Sequence, residues 1–264
     1  MGESIINGGW LLPFILVALG LLVGAYGTLI GVGGALVLVP ALLFLYPDSN
    51  PLTLTAISLA VVLLNAMGAT FAYARQNRID YRNGLIFAAG TIPGVILGIA
   101  TLEHISRPAF SLIFGLVMVA IAIALSIRTE PTNTIQGVDG SYRCNRPLGF
   151  SLSLGAGYLA GLLGIGGGII HVPVMVYIMC FPTHVATATS SFILIFTALA
   201  GGLFHLGQGN YGADFDIIVW LAAGIIVGSQ LGARLSKRLR GTVLIRLLAL
   251  ALVVTGLRLV LEYF

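Results

Sequence analysis

Gly164-Ile165-Gly166-Gly167-Gly168-Ile169-Ile170-His171-Val172-Pro173 decides how this chain is read, because it has an echo near the N-terminus. The echo is Gly31-Val32-Gly33-Gly34-Ala35-Leu36-Val37-Leu38-Val39-Pro40. Shifted by 133 residues, the two runs superpose without a gap, glycine on glycine at three positions and proline on proline. A 264-residue chain whose densest glycine clusters recur at half its length reads as two copies of one unit.

Composition puts that unit in a membrane. The chain is 58% hydrophobic and 8% charged, with a mean hydropathy of +1.04, whereas a soluble domain carries about 25% charged residues. A water-soluble fold could not hide so much apolar surface. The net charge of +4 gives no argument for nucleic acid, since the basic residues lie between apolar spans and read as orientation signals. The first apolar stretch lacks a basic lead-in and a small-residue cleavage site, so it is expected to be a retained span rather than a signal peptide. Cys144 falls in a polar loop and Cys180 in an apolar span, which predicts neither a bridge nor a metal site. No cofactor is expected.

A helix needs roughly 20 apolar residues to cross the hydrocarbon layer. Such runs occupy 10–30, 52–74, 84–102 and 108–127 in the first half, and 148–163, 185–206, 215–233 and 243–261 in the second. The runs at 35–46 and 169–181, one after each glycine cluster, are too short for ordinary crossings. The expected fold is an all-α polytopic membrane protein with five apolar segments per repeat. Residues 10–127 form repeat 1, 128–147 a cytoplasmic linker and 148–264 repeat 2, all within one transmembrane domain spanning 1–264.

Charge bias orients the segments. Arg75, Arg78 and Arg82 follow the third segment, so that loop should be cytoplasmic. Its counterpart at 207–216 has no Lys or Arg and carries Asp214 and Asp216. Conversely, 103–107 is nearly neutral, while its counterpart holds Arg234, Lys237, Arg238 and Arg240. Equivalent loops therefore fall on opposite sides, and an odd number of segments per repeat turns the second copy upside down. The two arguments agree on an inverted repeat with both termini outside, a pattern typical of secondary transporters.

Each glycine cluster joins a longer segment to a short one, as a re-entrant hairpin would. Irregular backbone at membrane depth survives only where protein or water surrounds it. The start of the short helix would present free N–H groups and about half a positive charge, for which an anion is the natural partner. Glycine lets the backbone turn tightly and lets a ligand approach without a Cβ in the way. The competing reading is close helix packing through small residues. All nine acidic residues lie in loops or at span ends, so no carboxylate is placed to bind sodium, a metal or an amine. Gly31, Gly33, Gly34, Gly166, Gly167 and Gly168 are therefore the primary substrate-binding candidates.

Further candidates are polar residues within spans. Ser58, Thr189, Ser190 and Ser191 open the segments after the hairpins and could donate to an oxyanion, or bond back to their own helix carbonyls. Asn65 and Thr197 occupy nearly matching mid-span positions. Gln230 should face the bundle interior. His171 stands where the first copy has Leu38, and could bind substrate, carry a proton or serve as a hydrogen-bonded structural residue. His184 and His205 are expected to be solvated edge residues. Tyr26 and Tyr158, before the two clusters, could line a path or pack.

The G-x-G-G-G-x-x-x-V-P run at Gly164 to Pro173, duplicated at half length, is followed by A-T-A-T-S-S-F from Ala186 to Phe192, then Thr197, His205 and Gly209. This arrangement resembles the sulfite exporter TauE/SafE family of bacterial membrane permeases. The resemblance implies a small organosulfur anion, such as sulfite, sulfoacetate or another sulfonate, moved outward across the bacterial cytoplasmic membrane. The first copy departs from the motif at Ala35 and Leu38, which implies an asymmetric site. The expected function is thus alternating-access export of such an anion. Alternatives are a permease for a carboxylate, thiosulfate or sulfate, an intramembrane hydrolase using Ser190 or Ser191, and a non-transporting scaffold. The oligomeric state is left open.

Overall fold

A computed structural model describes residues 11–46, 49–127, 146–211 and 215–263. These residues form α1 (Leu11–Ile30), α2 (Ala35–Leu45), α3 (Pro51–Ala74), α4 (Tyr81–Leu102), α5 (Arg107–Ile127), α6 (Arg146–Leu163), α7 (Gly168–Pro173), α8 (Thr183–Gly207), α9 (Phe215–Ser236) and α10 (Gly241–Tyr263). Among the described residues there is no strand. Five helical stretches, Pro13–Ile30, Pro51–Ala74, Tyr81–Leu102, Thr183–Gly207 and Ile217–Ser236, are long and apolar enough to cross a membrane. The chain is a multi-pass, all-helical membrane protein. The expected linker, apart from Arg146 and Pro147, lies outside the described residues, as do Cys144, Asp214 and the first ten positions.

Local chemistry explains where helices begin. Asn50 caps α3 by accepting from the Leu52 amide, with Pro51 in the first turn, where its missing N–H costs nothing. Asp80 caps α4 through the Asn83 amide at 3.0 Å. The second short segment departs from a plain helix. After Pro173, a π-helical turn runs over Val174–Ile178, and the Met179 amide reaches back five residues to the Val174 carbonyl at 3.1 Å. Proline offers no amide to the ladder and crowds the preceding turn, and a widened register is one way to absorb that. Pro40, its counterpart, stays within the single helix α2. Cys180, expected within the apolar run 169–181, instead lies past the helical stretch, exposed and at φ 57°, in the connection to α8.

Glycines set the tightest packing. Gly224, Gly228 and Gly232 of α9 lie against the backbone carbonyls of Val17, Leu21 and Ala25 of α1. Gly90, Gly94 and Gly98 of α4 lie against those of Phe150, Leu154 and Tyr158 of α6. A Cβ at any of these positions would overlap the facing backbone, the small-residue geometry by which helices approach closely in lipid. Each carbonyl of the second set stands 133 positions after one of the first. The larger pattern follows suit: α1 packs on α9 and α6 on α4, while α3 lies against α8 and α9 and α8 against α3 and α4. Exchanging the two halves maps these pairs onto one another.

Loops gather on two faces. On one, Arg78 donates through Nη2 to the His184 carbonyl at 3.0 Å and to Ser236 Oγ at 3.4 Å, which joins the ends of α3, α8 and α9. On the other, Arg107 donates to the carbonyls of Leu43, Tyr46 and Ser49 at 2.8, 3.1 and 2.6 Å, and Gln208 bonds Glu103. The face with Arg78 also carries Arg234, Lys237, Arg238 and Arg240.

Candidate functional site

Both glycine clusters form left-handed turns. Gly31, Gly33 and Gly34 have φ of 77, 82 and 86°, and Gly164, Gly166 and Gly167 have 68, 70 and 89°. An L-residue is strained at such angles, so the repeated glycines are a backbone requirement. Gly34 and Gly167 are the residues immediately before α2 and α7. Their carbonyls accept the amides of Val37 and Leu38, and of Ile170 and His171, at 3.0–3.2 Å. The amides of Gly34, Ala35 and Leu36, and of Gly167, Gly168 and Ile169, meet no acceptor among the described residues. All six residues are buried. Such donors are costly to leave unmatched.

The two turns touch. A Cβ on Gly168 would sit 2.7 Å from Val32 Cα and 2.8 Å from the Gly31 carbonyl oxygen. Gly33 and Gly166 are both walled by Val62 of α3 and Leu194 of α8. Each turn also presses on the long helix of the other half. Gly31 stands against Thr187, where a Cβ would lie 2.7 Å from its Cα, and Gly164 against Thr55, at 2.9 Å. Two serines fasten these contacts: Ser190 Oγ donates to the Gly31 carbonyl at 2.8 Å, and Ser58 Oγ to the Gly164 carbonyl at 2.7 Å.

The remaining candidates divide by what they bond. Ser191 donates to the Thr187 carbonyl at 3.0 Å, the within-helix arrangement, whereas Thr197 Oγ1 stands 3.0 Å from the Thr91 hydroxyl of α4 as well as 3.2 Å from the Ile193 carbonyl. Thr189 Oγ1 accepts the Asp80 amide at 3.0 Å, and therefore secures the α3–α4 loop. Gln230, half-buried, donates to the Gly68 carbonyl at 2.9 Å. Asn65 is fully buried; its Oδ1 accepts from Thr28 at 3.0 Å, and its Nδ2 has no partner. Asn65 stands three residues, about one helical turn, from Val62, which walls both glycine turns.

His171 is occupied on both ring nitrogens. Nδ1 lies 2.9 Å from the Gly167 carbonyl and Nε2 3.3 Å from Ser153 Oγ of α6. Donation from Nδ1 to the carbonyl leaves Nε2 to accept the serine proton, so a neutral ring satisfies both bonds. His205 corrects an expectation: it is fully buried, not solvated, with Nε2 3.5 Å from Thr55 Oγ1 and Nδ1 3.1 Å from Asn210 Nδ2. The last turn of α8 is tucked behind the 208–211 loop, which its polar side chain could not announce. His184 is partly buried, with Nδ1 2.9 Å from Arg78 Nη2. Burial of the Arg78 guanidinium pulls its pKa below the ordinary arginine value, with Tyr73 acting in the opposite sense.

Sequence reasoning passed over Thr28 and Ser153. Thr28 bonds Asn65 through its hydroxyl, and its carbonyl accepts the Tyr73 hydroxyl at 2.7 Å. Its signal was available as a lone hydroxyl three residues before Gly31. Ser153 had no counterpart in the repeat to draw notice. Tyr26 does line a cavity, of about 530 Å3, with Val37, Pro40 and Arg258 among the other walls; its hydroxyl donates to the Leu247 carbonyl at 2.6 Å.

The family model of the sulfite exporter TauE/SafE matches residues 16–259. The chain belongs to that family. Among curated relatives, it is 32% identical to the probable membrane transporter protein YunE of Bacillus subtilis, over 94% of this chain and 97% of that protein. It is 27% identical to the probable membrane transporter protein MJ0441 of Methanocaldococcus jannaschii, over 87% and 88% of the two. It is 26% identical to YjnA of Bacillus subtilis, likewise a probable membrane transporter protein, over 93% and 98%. No solved structure matches it. The TauE/SafE match and these names point to a membrane transporter, a class distinct from enzymes.

Proposed function

We propose that this chain is a secondary transporter that exports a small organosulfur anion, such as sulfite, sulfoacetate or another sulfonate, across the cytoplasmic membrane. The observation that carries the proposal is the meeting of the two glycine turns. Their helix starts converge at one buried junction, and each leaves three amides without an acceptor. Backbone donors and helix dipoles at that junction favour an anion, and neutral donors hold it weakly enough to release it. Asn65 Nδ2, buried and unpartnered, supplies a further donor of the same polarity.

The inverted-repeat reading draws support from contacts that survive exchange of the halves, with α1 on α9 answering α6 on α4. It also draws support from loops of equivalent position gathering on opposite faces, with Arg78 on one and Glu103 on the other. Two related halves that hold a shared junction can rock about it and open it alternately to each side. The basic face is then cytoplasmic and both termini lie outside. The cargo contacts are assigned to Gly31, Gly33, Gly34, Gly166, Gly167, Gly168 and Asn65. Ser58 and Ser190 serve as fasteners of the turns, with Thr189, Ser191, Gln230 and His171 as supports. The hydrolase alternative finds no favouring observation, since Ser190 and Ser191 both spend their protons on backbone carbonyls.

The test is flux in proteoliposomes loaded with sulfite, sulfoacetate, thiosulfate, sulfate or acetate. Saturable efflux of sulfite or a sulfonate, with a matching rise in thermal stability of the purified protein, is expected; a ligand at a hundred times its Kd raises stability by about 2.7 kcal/mol. Efflux of carboxylates alone, or none of any anion, would sink the proposal.

A further inference from the structure

A basic cavity lies at the end of α9. Its volume is about 600 Å3, and it is lined by Gln76, Leu231, Arg234, Leu235, Lys237 and Arg238. Three of its six walls are cationic and none is acidic. Among the described residues, the side chains of Arg234, Lys237 and Arg238 take part in no ion pair or hydrogen bond. Gln76 is held in place, its Nε2 donating to the Ala233 carbonyl at 3.3 Å and its Oε1 accepting from Arg78 at 3.0 Å. The cavity is therefore built on a fixed wall and carries concentrated, uncompensated charge.

Its apolar walls say which anion fits. Leu231 and Leu235 are 46% and 48% exposed, and Val227, one turn further into the span, is 52% exposed. Positions 227, 231 and 235 follow the four-residue spacing of one helix face. They make an apolar track that descends from the cationic rim along the outside of the bundle. A free inorganic anion would use the rim and have no need of the track. A diacyl phospholipid uses both, with its headgroup phosphate among the cations and an acyl chain along the leucines. On the opposite face, Arg107 is committed to three backbone carbonyls, and Glu103 is bonded by Gln208.

We propose that Arg234, Lys237 and Arg238 bind the phosphate headgroup of an anionic phospholipid in the leaflet on the basic side of the protein. The site bridges Gln76, in the α3–α4 connection, and α9, and a bound lipid ties the two together. This inference does not depend on the identity of the transported anion.

The full chain, purified in a neutral detergent, is examined by native mass spectrometry and thermal unfolding with phosphatidylglycerol, phosphatidylcholine or inorganic phosphate. Phosphatidylglycerol adducts should outlast those of phosphatidylcholine and raise the unfolding midpoint, while inorganic phosphate should do neither. Basic residues near a bilayer surface each strengthen anionic lipid binding about fivefold. The triple variant Arg234→Gln, Lys237→Gln, Arg238→Gln should accordingly lower phosphatidylglycerol affinity at least about tenfold, whereas the double variant Arg75→Gln, Arg82→Gln should keep it. Equal retention of the two lipids, an unchanged triple variant, an equal loss in the double variant, or reproduction of the effect by inorganic phosphate would each overturn the proposal. Should the triple variant fail to fold, Leu235→Trp in the otherwise natural chain gives the same answer. Its added fluorescence must be quenched more by brominated phosphatidylglycerol than by brominated phosphatidylcholine, and equal quenching refutes the site.

Discussion

Ser190 Oγ donates to the Gly31 carbonyl at 2.8 Å, so a hydroxyl from the second half of the chain closes the glycine turn of the first. Ser58 returns the arrangement, bonding the Gly164 carbonyl at 2.7 Å. Neither turn is completed by its own half. The junction is held together by bonds that cross it, which couples the two halves at the point where their helix starts meet.

Removing either crossing bond should therefore cost stability. Ser190→Ala and Ser58→Ala each leave a buried carbonyl without its donor, a loss of about 1–3 kcal/mol. Denaturation of the purified protein in detergent should show both losses, and the two should be similar in size. A variant as stable as the natural chain would mean that the carbonyl is satisfied in another way.

Glycine substitutions should separate by location. Gly31→Ala forces an L-residue to positive φ and into Thr187, and should destabilise by about 1–3 kcal/mol. Gly155→Ala, within α6 where nothing lies within 4 Å, should instead stabilise by about 0.5–1 kcal/mol. Thermal unfolding of the pair measures the contrast, and equal effects would contradict the turn geometry.

Asn65→Leu tests whether the unpartnered amide waits for cargo. In the unliganded protein, the substitution takes the acceptor from the buried Thr28 hydroxyl and should cost about 1–3 kcal/mol. Stabilisation by sulfite or sulfonates should fall sharply in the same variant. If ligand-induced stabilisation is unaltered, Asn65 is no part of the site.

His171 should behave as a strut. His171→Leu removes the bonds to Gly167 and Ser153, and is expected to cost about 1–3 kcal/mol. Because both nitrogens are engaged within the protein, His171→Gln should leave the pH profile of flux unchanged in shape. A flattened profile would restore a proton-carrying role.

Much of the fold was legible because lipid restricts the choices. Apolar runs at membrane depth must be helices that satisfy their own backbone, so the long spans at 52–74 and 84–102 emerged within a few residues of α3 and α4. The glycine turns were legible because positive φ leaves glycine as the favoured residue, and duplication marked which of the 35 glycines mattered. The π turn after Pro173 was not legible, since Pro40 in the same place leaves its helix intact; which register wins depends on neighbours. His205 was misplaced for a related reason. A histidine near a helix end is solvated only if no loop covers it, and the 208–211 loop does.

The sequence alone determined that the chain is a helical membrane protein with a recurring glycine run, because composition, segment length and a gapless ten-residue echo are one-dimensional properties. Only the tertiary structure decided that the duplicated turns touch, that Ser58 and Ser190 cross between halves, and that His171 is bonded to Gly167 and Ser153. Those facts arise from pairs of residues far apart in the chain, and the distance between two such side chains is set by how helices pack, which no local pattern encodes.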